Sequence, residues 1–126
     1  MLWDIQKAIY TELANDTTLM SKITGVFDEV PENQDYPYIT LGEATINPYD
    51  TFGKKGKETT HTMHIWSDYQ GTKELYDIFA EIERILENGI TLENGTLVNI
   101  EFEFAQPIKE ETIRHMPVRY RIVAQE

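Results

Sequence analysis

Two long segments of the chain carry apolar residues at the spacing of an amphipathic α-helix. The first helix is predicted over residues 2–13, and a short helix over 17–23 follows Asp16, whose side chain can cap it. The longest helix is predicted between Thr72 as its cap and Asn88-Gly89 as its end. Its apolar stripe consists of Leu75, Ile78, Phe79, Ile82, Ile85 and Leu86.

Alternation of apolar and polar residues, typical of β-strands, occupies much of the remaining sequence. Strands are predicted at residues 26–30, 38–42 and 59–67. The last of these has large side chains on both faces, which indicates a central strand or one that is covered on both sides. Asn94-Gly95, between residues 90–93 and 96–98, predicts a β-hairpin.

The two strands predicted near the C-terminus match each other in apolarity and in charge. Residues 98–104 alternate apolar with acidic or amide side chains, and residues 117–123 alternate apolar side chains with arginines. Antiparallel pairing that sets Phe102 near Tyr120 also brings opposite charges together: the expected pairs are Glu101 with Arg121 and Glu103 with Arg119. Each cross-strand ion pair favours this register by about 0.2–1 kcal/mol.

This order of elements predicts a single α+β domain over residues 1–126. Its expected architecture is two-layered, with a mainly antiparallel β-sheet packed against two main α-helices. The chain has no cysteine, so no disulfide framework is expected. No apolar run approaches the ~20 residues of a membrane span, and the N-terminus does not resemble a signal peptide, so no membrane partner is expected.

Residues 44–58 form the least regular part of the sequence, and they are predicted to be a flexible loop or a mobile β-hairpin arm. They contain the aromatic side chains of Tyr49 and Phe52. The only basic cluster of the chain is also here, at Lys54, Lys55 and Lys57. These five residues are the candidate assembly contacts, although the two aromatic side chains have the alternative of folding back onto their own sheet.

The formal net charge of −11 limits the partners of the protein. A strongly acidic surface repels phosphate, so specific nucleic-acid binding is not expected. Such a surface keeps a domain soluble. A sharper hypothesis is that it forms an acidic wall past which DNA moves without sticking.

No constellation for catalysis, metal binding or cofactor binding is apparent in the sequence. His61 and His64 point to opposite faces of one predicted strand, and His115 is predicted in a turn, so no shared metal site is expected. Phosphate-binding loops and nucleophile elbows are also missing. For Trp66, the expected place is the core, covered by the first helix, with an interface as the alternative.

Several short motifs occur in an order that resembles a known protein family. They are Val30-Pro31, the stretch 36–43, the stretch 61–67 followed by Gly71 and a helix, and the closing Val118-Arg119-Tyr120-Arg121. Together they resemble the phage tail completion family, also called head–tail joining proteins, of long-tailed phages and prophages.

The resemblance implies a tail-terminator-like fold and a structural role in the neck of the virion, without catalysis. Such a protein completes the tail tube and joins the tail to the DNA-filled head. It would be a monomer when free in the host cytoplasm, and in the virion a ring, with six copies expected, in contact with tail tube and head-connector proteins. The alternatives are a stand-alone intracellular adaptor or regulatory domain that binds a protein partner, and a small hydrolytic enzyme.

Overall fold

Three helices and six strands build two layers, as the computed structural model of all 126 residues shows. The helices are α1 (Leu2–Ala14), α2 (Thr17–Met20) and α3 (Lys73–Glu87). The strands are β1 (Val26–Phe27), β2 (Tyr38–Pro48), β3 (Gly56–Ser67), β4 (Thr96–Ala105), β5 (Ile108–Glu110) and β6 (Ile113–Gln125). None of the helices has the length and apolar character needed to cross a bilayer.

One mixed sheet contains all the strands, in the spatial order β1-β2-β3-β6-β4, with β5 also paired to β6. Only the two-residue pairing of β1 with β2 is parallel. The other pairs are antiparallel. The prediction of a mainly antiparallel, two-layer α+β fold is therefore confirmed.

The core lies between the sheet and the two long helices, α1 and α3. The apolar stripe predicted for α3 is buried at Leu75, Ile78, Ile82, Ile85 and Leu86, and Phe79 is partly buried against the core. The predicted cap of α2 is also present, because the backbone N–H of Leu19 donates to Asp16 Oδ1 at 2.9 Å. The hydroxyl of Thr72, by contrast, makes no capping hydrogen bond to α3.

The predicted register of the C-terminal strands is confirmed, since Phe102 lies directly opposite Tyr120. Arg121 Nη1 is 3.1 Å from Glu101 Oε1, and Arg119 Nε is 2.6 Å from Glu103 Oε1. The register shifts between Phe102 and Phe104, so that Phe104 lies opposite Arg119. The Arg119 guanidinium is 5.3 Å from the centre of the Phe104 ring. The prediction that Phe104 shares the face of Phe102 is therefore wrong.

The prediction of a β-hairpin at Asn94-Gly95 is also wrong, because residues 90–93 form no strand. They lie along α1 instead: Ile90 is buried, and Lys7 Nζ contacts Glu93 Oε2 at 2.7 Å. The turn itself remains, with Gly95 at φ +99°. A Cβ there would lie 2.5 Å from the carbonyl oxygen of Gln125, so glycine is required for the chain to enter β4.

The ends of several other helices and strands differ from the predicted ones. β1 ends at Phe27 rather than at residue 30, and α2 ends at Met20 rather than at residue 23. The short β5 was not predicted. It forms because the chain after β4 returns beside the first residues of β6, where Ile108 lies opposite His115.

Trp66 is not covered by the first helix, contrary to the prediction. It lies half-buried on the face of the sheet opposite α1 and α3, which is called the open face below. Its ring stacks on His115 with the ring centres 3.9 Å apart, and its Nε1–H donates to Thr40 Oγ1 at 3.0 Å. His115 belongs to β6, so the prediction that it lies in a turn is wrong. β3 is central as expected, but side chains of the sheet itself cover its second face.

His61 creates a pH-dependent weakness in the core. It is 6% exposed, and its Nε2 has no hydrogen-bond partner. Burial lowers its pKa from 6.5 to about 4. Between these two values the unfolded chain binds a proton that the folded chain excludes, so stability falls as the pH falls.

The variant His61→Phe should lose less stability on acidification than the wild type. From pH 7 to pH 5, the His61 contribution amounts to roughly 2 kcal/mol. Urea unfolding at several pH values measures it, and the difference between the two proteins isolates His61 because the other histidines are common to both. Parallel pH profiles for the two proteins would contradict the assignment.

Candidate assembly surface

Residues 44–58 form a β-hairpin, which is called the arm below. β2 pairs with β3 without interruption from Ala44–His61 to Pro48–Lys57. The backbone N–H of Tyr49 then donates to the Gly56 carbonyl at 2.9 Å. Thr51 and Lys54 exchange two backbone hydrogen bonds of 2.9 Å each, which close the tip.

The tip of the arm is tied to the C-terminal end of the chain. Gln125 Nε2 donates to Thr51 Oγ1 at 2.8 Å, and the Glu126 N–H donates to the Lys55 carbonyl at 3.3 Å. Inside the arm, the Gly56 N–H donates to Asp50 Oδ1 at 3.2 Å. These bonds fix the direction of the tip relative to β6.

The two aromatic candidates on the arm differ in exposure. Phe52 is fully exposed, with a relative accessibility of 108%, whereas Tyr49 is 39% exposed. Phe52 does not fold back onto the sheet, because it lies at the closed tip beside Gly53, whose φ is +80°. A phenyl ring held in water in this way gains most from contact with another protein.

The three lysines of the arm form no salt bridge, although the chain is acidic. Lys54 and Lys55 are exposed and Lys57 is partly buried. Most of the other cationic side chains are paired with carboxylates: Lys7, Lys22, Lys73, Arg84, Arg119 and Arg121. The arm therefore presents the unpaired charges of Lys54 and Lys55 at its tip together with the exposed ring of Phe52, whereas Lys57 lies within the sheet opposite Ala124 of β6.

A second polar cluster lies on the open face and was not predicted. His64 Nδ1 is 2.6 Å from His115 Nε2, and His64 Nε2 is 2.8 Å from Glu43 Oε1. One of these two facing nitrogens must donate and the other accept, so His64 Nδ1 and His115 Nε2 do not both carry a hydrogen in this geometry. Burial and the neighbouring His64 lower the pKa of His115.

Sequence reasoning missed this pair because it placed His115 in a turn. The register of β6 against β3, in which His64 lies opposite Pro117 and Trp66 opposite His115, was the signal that could have shown it. No group of three or more histidine and carboxylate side chains has the arrangement of a metal site.

The fold and the arm together define a small structural subunit whose unpaired, exposed groups are suited to contact with other proteins. The family model described as "Tail completion protein gp17" matches residues 7–125. The chain belongs to this family of phage tail completion proteins.

Individual relatives agree with the family assignment. "Tail completion protein gp17" of Bacillus phage SPP1 is 27% identical over 109 residues, which are 84% of this chain and 79% of that protein. The solved structure of bacteriophage SPP1 gp17 matches with a TM-score of 0.67 and 24% identity, over 93% of this chain and 86% of that one. A chain in the virion of a native gene transfer agent particle matches with a TM-score of 0.90 and 21% identity, over 99% of this chain and 97% of that one. These two structural matches show that the fold is shared.

The isolated protein should bind duplex DNA negligibly at physiological salt. Each neutralised phosphate requires a cation, and the lysines of the arm stand on a chain with a net charge of −11. A gel mobility assay with the wild type and with Lys54→Glu should show the same lack of binding. Micromolar, salt-sensitive binding that the substitution abolishes would contradict this expectation.

Proposed function

We propose that this protein completes the tail tube of a phage or prophage particle and joins the tail to the DNA-filled head. It acts by assembling into a ring, with six copies expected, that contacts tail tube and head-connector proteins. The protein is a monomer in the host cytoplasm before assembly and part of the virion neck afterwards. No step of this function requires catalysis.

The arm is the observation that carries the proposal, together with membership in the tail completion family. Its unpaired Lys54, Lys55 and Lys57 complement the acidic surface that a neighbouring copy presents. Phe52 supplies an apolar anchor at the tip, where its full exposure leaves the whole ring available for burial. We therefore assign the contact chiefly to residues 49–55, which extend beyond Gly56–Gln125, the last pair of β3 with β6.

Assembly into a ring also accounts for the acidic net charge of the protein. DNA that passes through the ring meets a protein of net charge −11, so it is not held by cationic side chains. We further propose that the tip of the arm becomes more ordered in the assembled ring. In the free subunit only hydrogen bonds offset the entropy of ordering the tip, at about 1–2 kcal/mol per residue, because the exposed Phe52 ring adds no packing.

Replacing residues 50–55 by Asn-Gly should leave the subunit folded but stop its assembly onto tails. Tyr49 and Gly56 already face each other across the hairpin, since the Tyr49 N–H donates to the Gly56 carbonyl at 2.9 Å. Asn-Gly is the preferred two-residue turn between such strands. The melting temperature, followed by circular dichroism, should change by only a few degrees. Completed particles, counted by plaque assay and electron microscopy, should be lost.

A matched pair of charge reversals separates the arm from a general effect of charge. Lys54→Glu should reduce the yield of completed particles, whereas Lys109→Glu should not, because Lys109 is also exposed and free of salt bridges but lies on β5. Normal particle yields with both the shortened arm and Lys54→Glu would show that the arm has no role in assembly.

A further inference from the structure

The sheet ends on each side in a strand whose outer backbone groups have no partner. On one side, β1 pairs with β2 only at Ile39 and Thr40, so β2 is uncovered from Leu41 to Pro48. On the other side, β4 is the last strand, and its partner is β6 alone. Unpaired N–H and C=O groups in a row form a template for pairing with another chain.

We propose that adjacent copies of this protein in the assembled ring join by antiparallel pairing of the β4 edge of one copy with the β2 edge of the next. This inference rests on the proposed ring. The surfaces that meet are the two edges of the sheet, and a neighbouring copy of this chain occupies each of them.

The directions of the strands fit such a contact. β2, β3, β6 and β4 are successive antiparallel neighbours, so β2 and β4 run in opposite directions. A copy related by rotation about an axis along the strands therefore brings its β2 antiparallel to β4. The joined sheet continues the pattern that exists within each subunit, and the contact between two different surfaces is of the kind that closes into a ring.

The regular parts of the two edges also lie at the same level of the sheet. Ile46 is opposite Thr59, Thr59 is opposite Ile122, and Ile122 is opposite Ile100. Residues directly opposite each other share a face, so Ile46 and Ile100 are the two ends of one row on the helical side. Ile46 is 41% exposed and would gain an apolar neighbour from the next copy.

Exposed aromatic side chains flank each edge on the helical side. Beside β2, Trp3 and Tyr10 of α1 are 62% and 45% exposed, and with Leu41 they line a groove of about 180 Å³. Beside β4, Phe102 is 45% exposed and packs on Phe79 of α3 with the ring centres 5.4 Å apart. Pairing of the edges would bring these two apolar flanks together and remove both from water.

Cysteine cross-linking in assembled particles tests the contact, and the chain has no cysteine of its own. Ile46→Cys is combined in turn with Val98→Cys, Ile100→Cys and Phe102→Cys, because tilt of the strands shifts the register by a few residues. Within one subunit, β3 and β6 separate the two edges by three strand spacings, about 14 Å, which is too far for a disulfide. A cross-link therefore reports two copies.

At least one of the three combinations should give, after oxidation, a ladder of covalent oligomers that ends at the copy number of the ring. Ile46→Cys with Tyr69→Cys should give none, since Tyr69 is exposed but lies outside both edges. Particles that contain the chain but give no ladder with any of the three combinations would overturn the inference and leave the proposed function intact. Absence of the chain from wild-type particles would overturn the proposed function and this inference with it.

A second pair of variants tests the same contact without cysteine chemistry. Val98→Lys places a charge on the β4 edge at a side chain that is 49% exposed, and Tyr69→Lys places one at a similarly exposed control position. Val98→Lys should leave the melting temperature of the subunit nearly unchanged and reduce ring formation at least tenfold. Equal ring yields from both variants would contradict the edge contact.

Discussion

The pairing of β3 with β6 is the constraint on which the rest of the structure depends. The two strands keep one unbroken antiparallel register from Gly56–Gln125 to Ser67–Arg114. This register places Met63, Val118 and Ile122 under the helices, where they are essentially inaccessible. A slip of one residue would turn these side chains to the open face and put arginines into the core, so register and burial determine each other.

The same pairing positions the features that we connect with assembly. The C-terminal end of β6 and the residue after it hold the tip of the arm, through Gln125 and Glu126. The opposite end of the pairing brings His64, Trp66 and His115 together on the open face. Because β3 and β6 occupy the middle of the sheet, β2 and β4 are left as its exposed sides. The central pair of strands thus leaves the contact surfaces that we propose at the periphery of the sheet.

The sequence predicted what depends on local periodicity and failed where tertiary packing decides. The α3 stripe and the pairing of Phe102 with Tyr120 were predictable, because apolar and charged patterns pointed to the same answer. The bulge before Phe104 and the course of residues 90–93 along α1 depend on contacts distant in sequence, such as Lys7 with Glu93. The candidate arm residues could be chosen from composition alone, because lysines and exposed aromatics are unusual in an acidic chain. The two free edges of the sheet could not be predicted from the sequence, because they follow from the spatial order of the strands rather than from any single residue.

Electron cryomicroscopy of the neck of intact particles would show whether this chain forms a closed ring at the junction of head and tail. We expect density for the two-layer subunit in a ring between the tail tube and the head connector, with each arm in contact with a neighbouring protein. A subunit found elsewhere in the particle, or present at the junction with its arm free in solvent and no contact between copies, would contradict it.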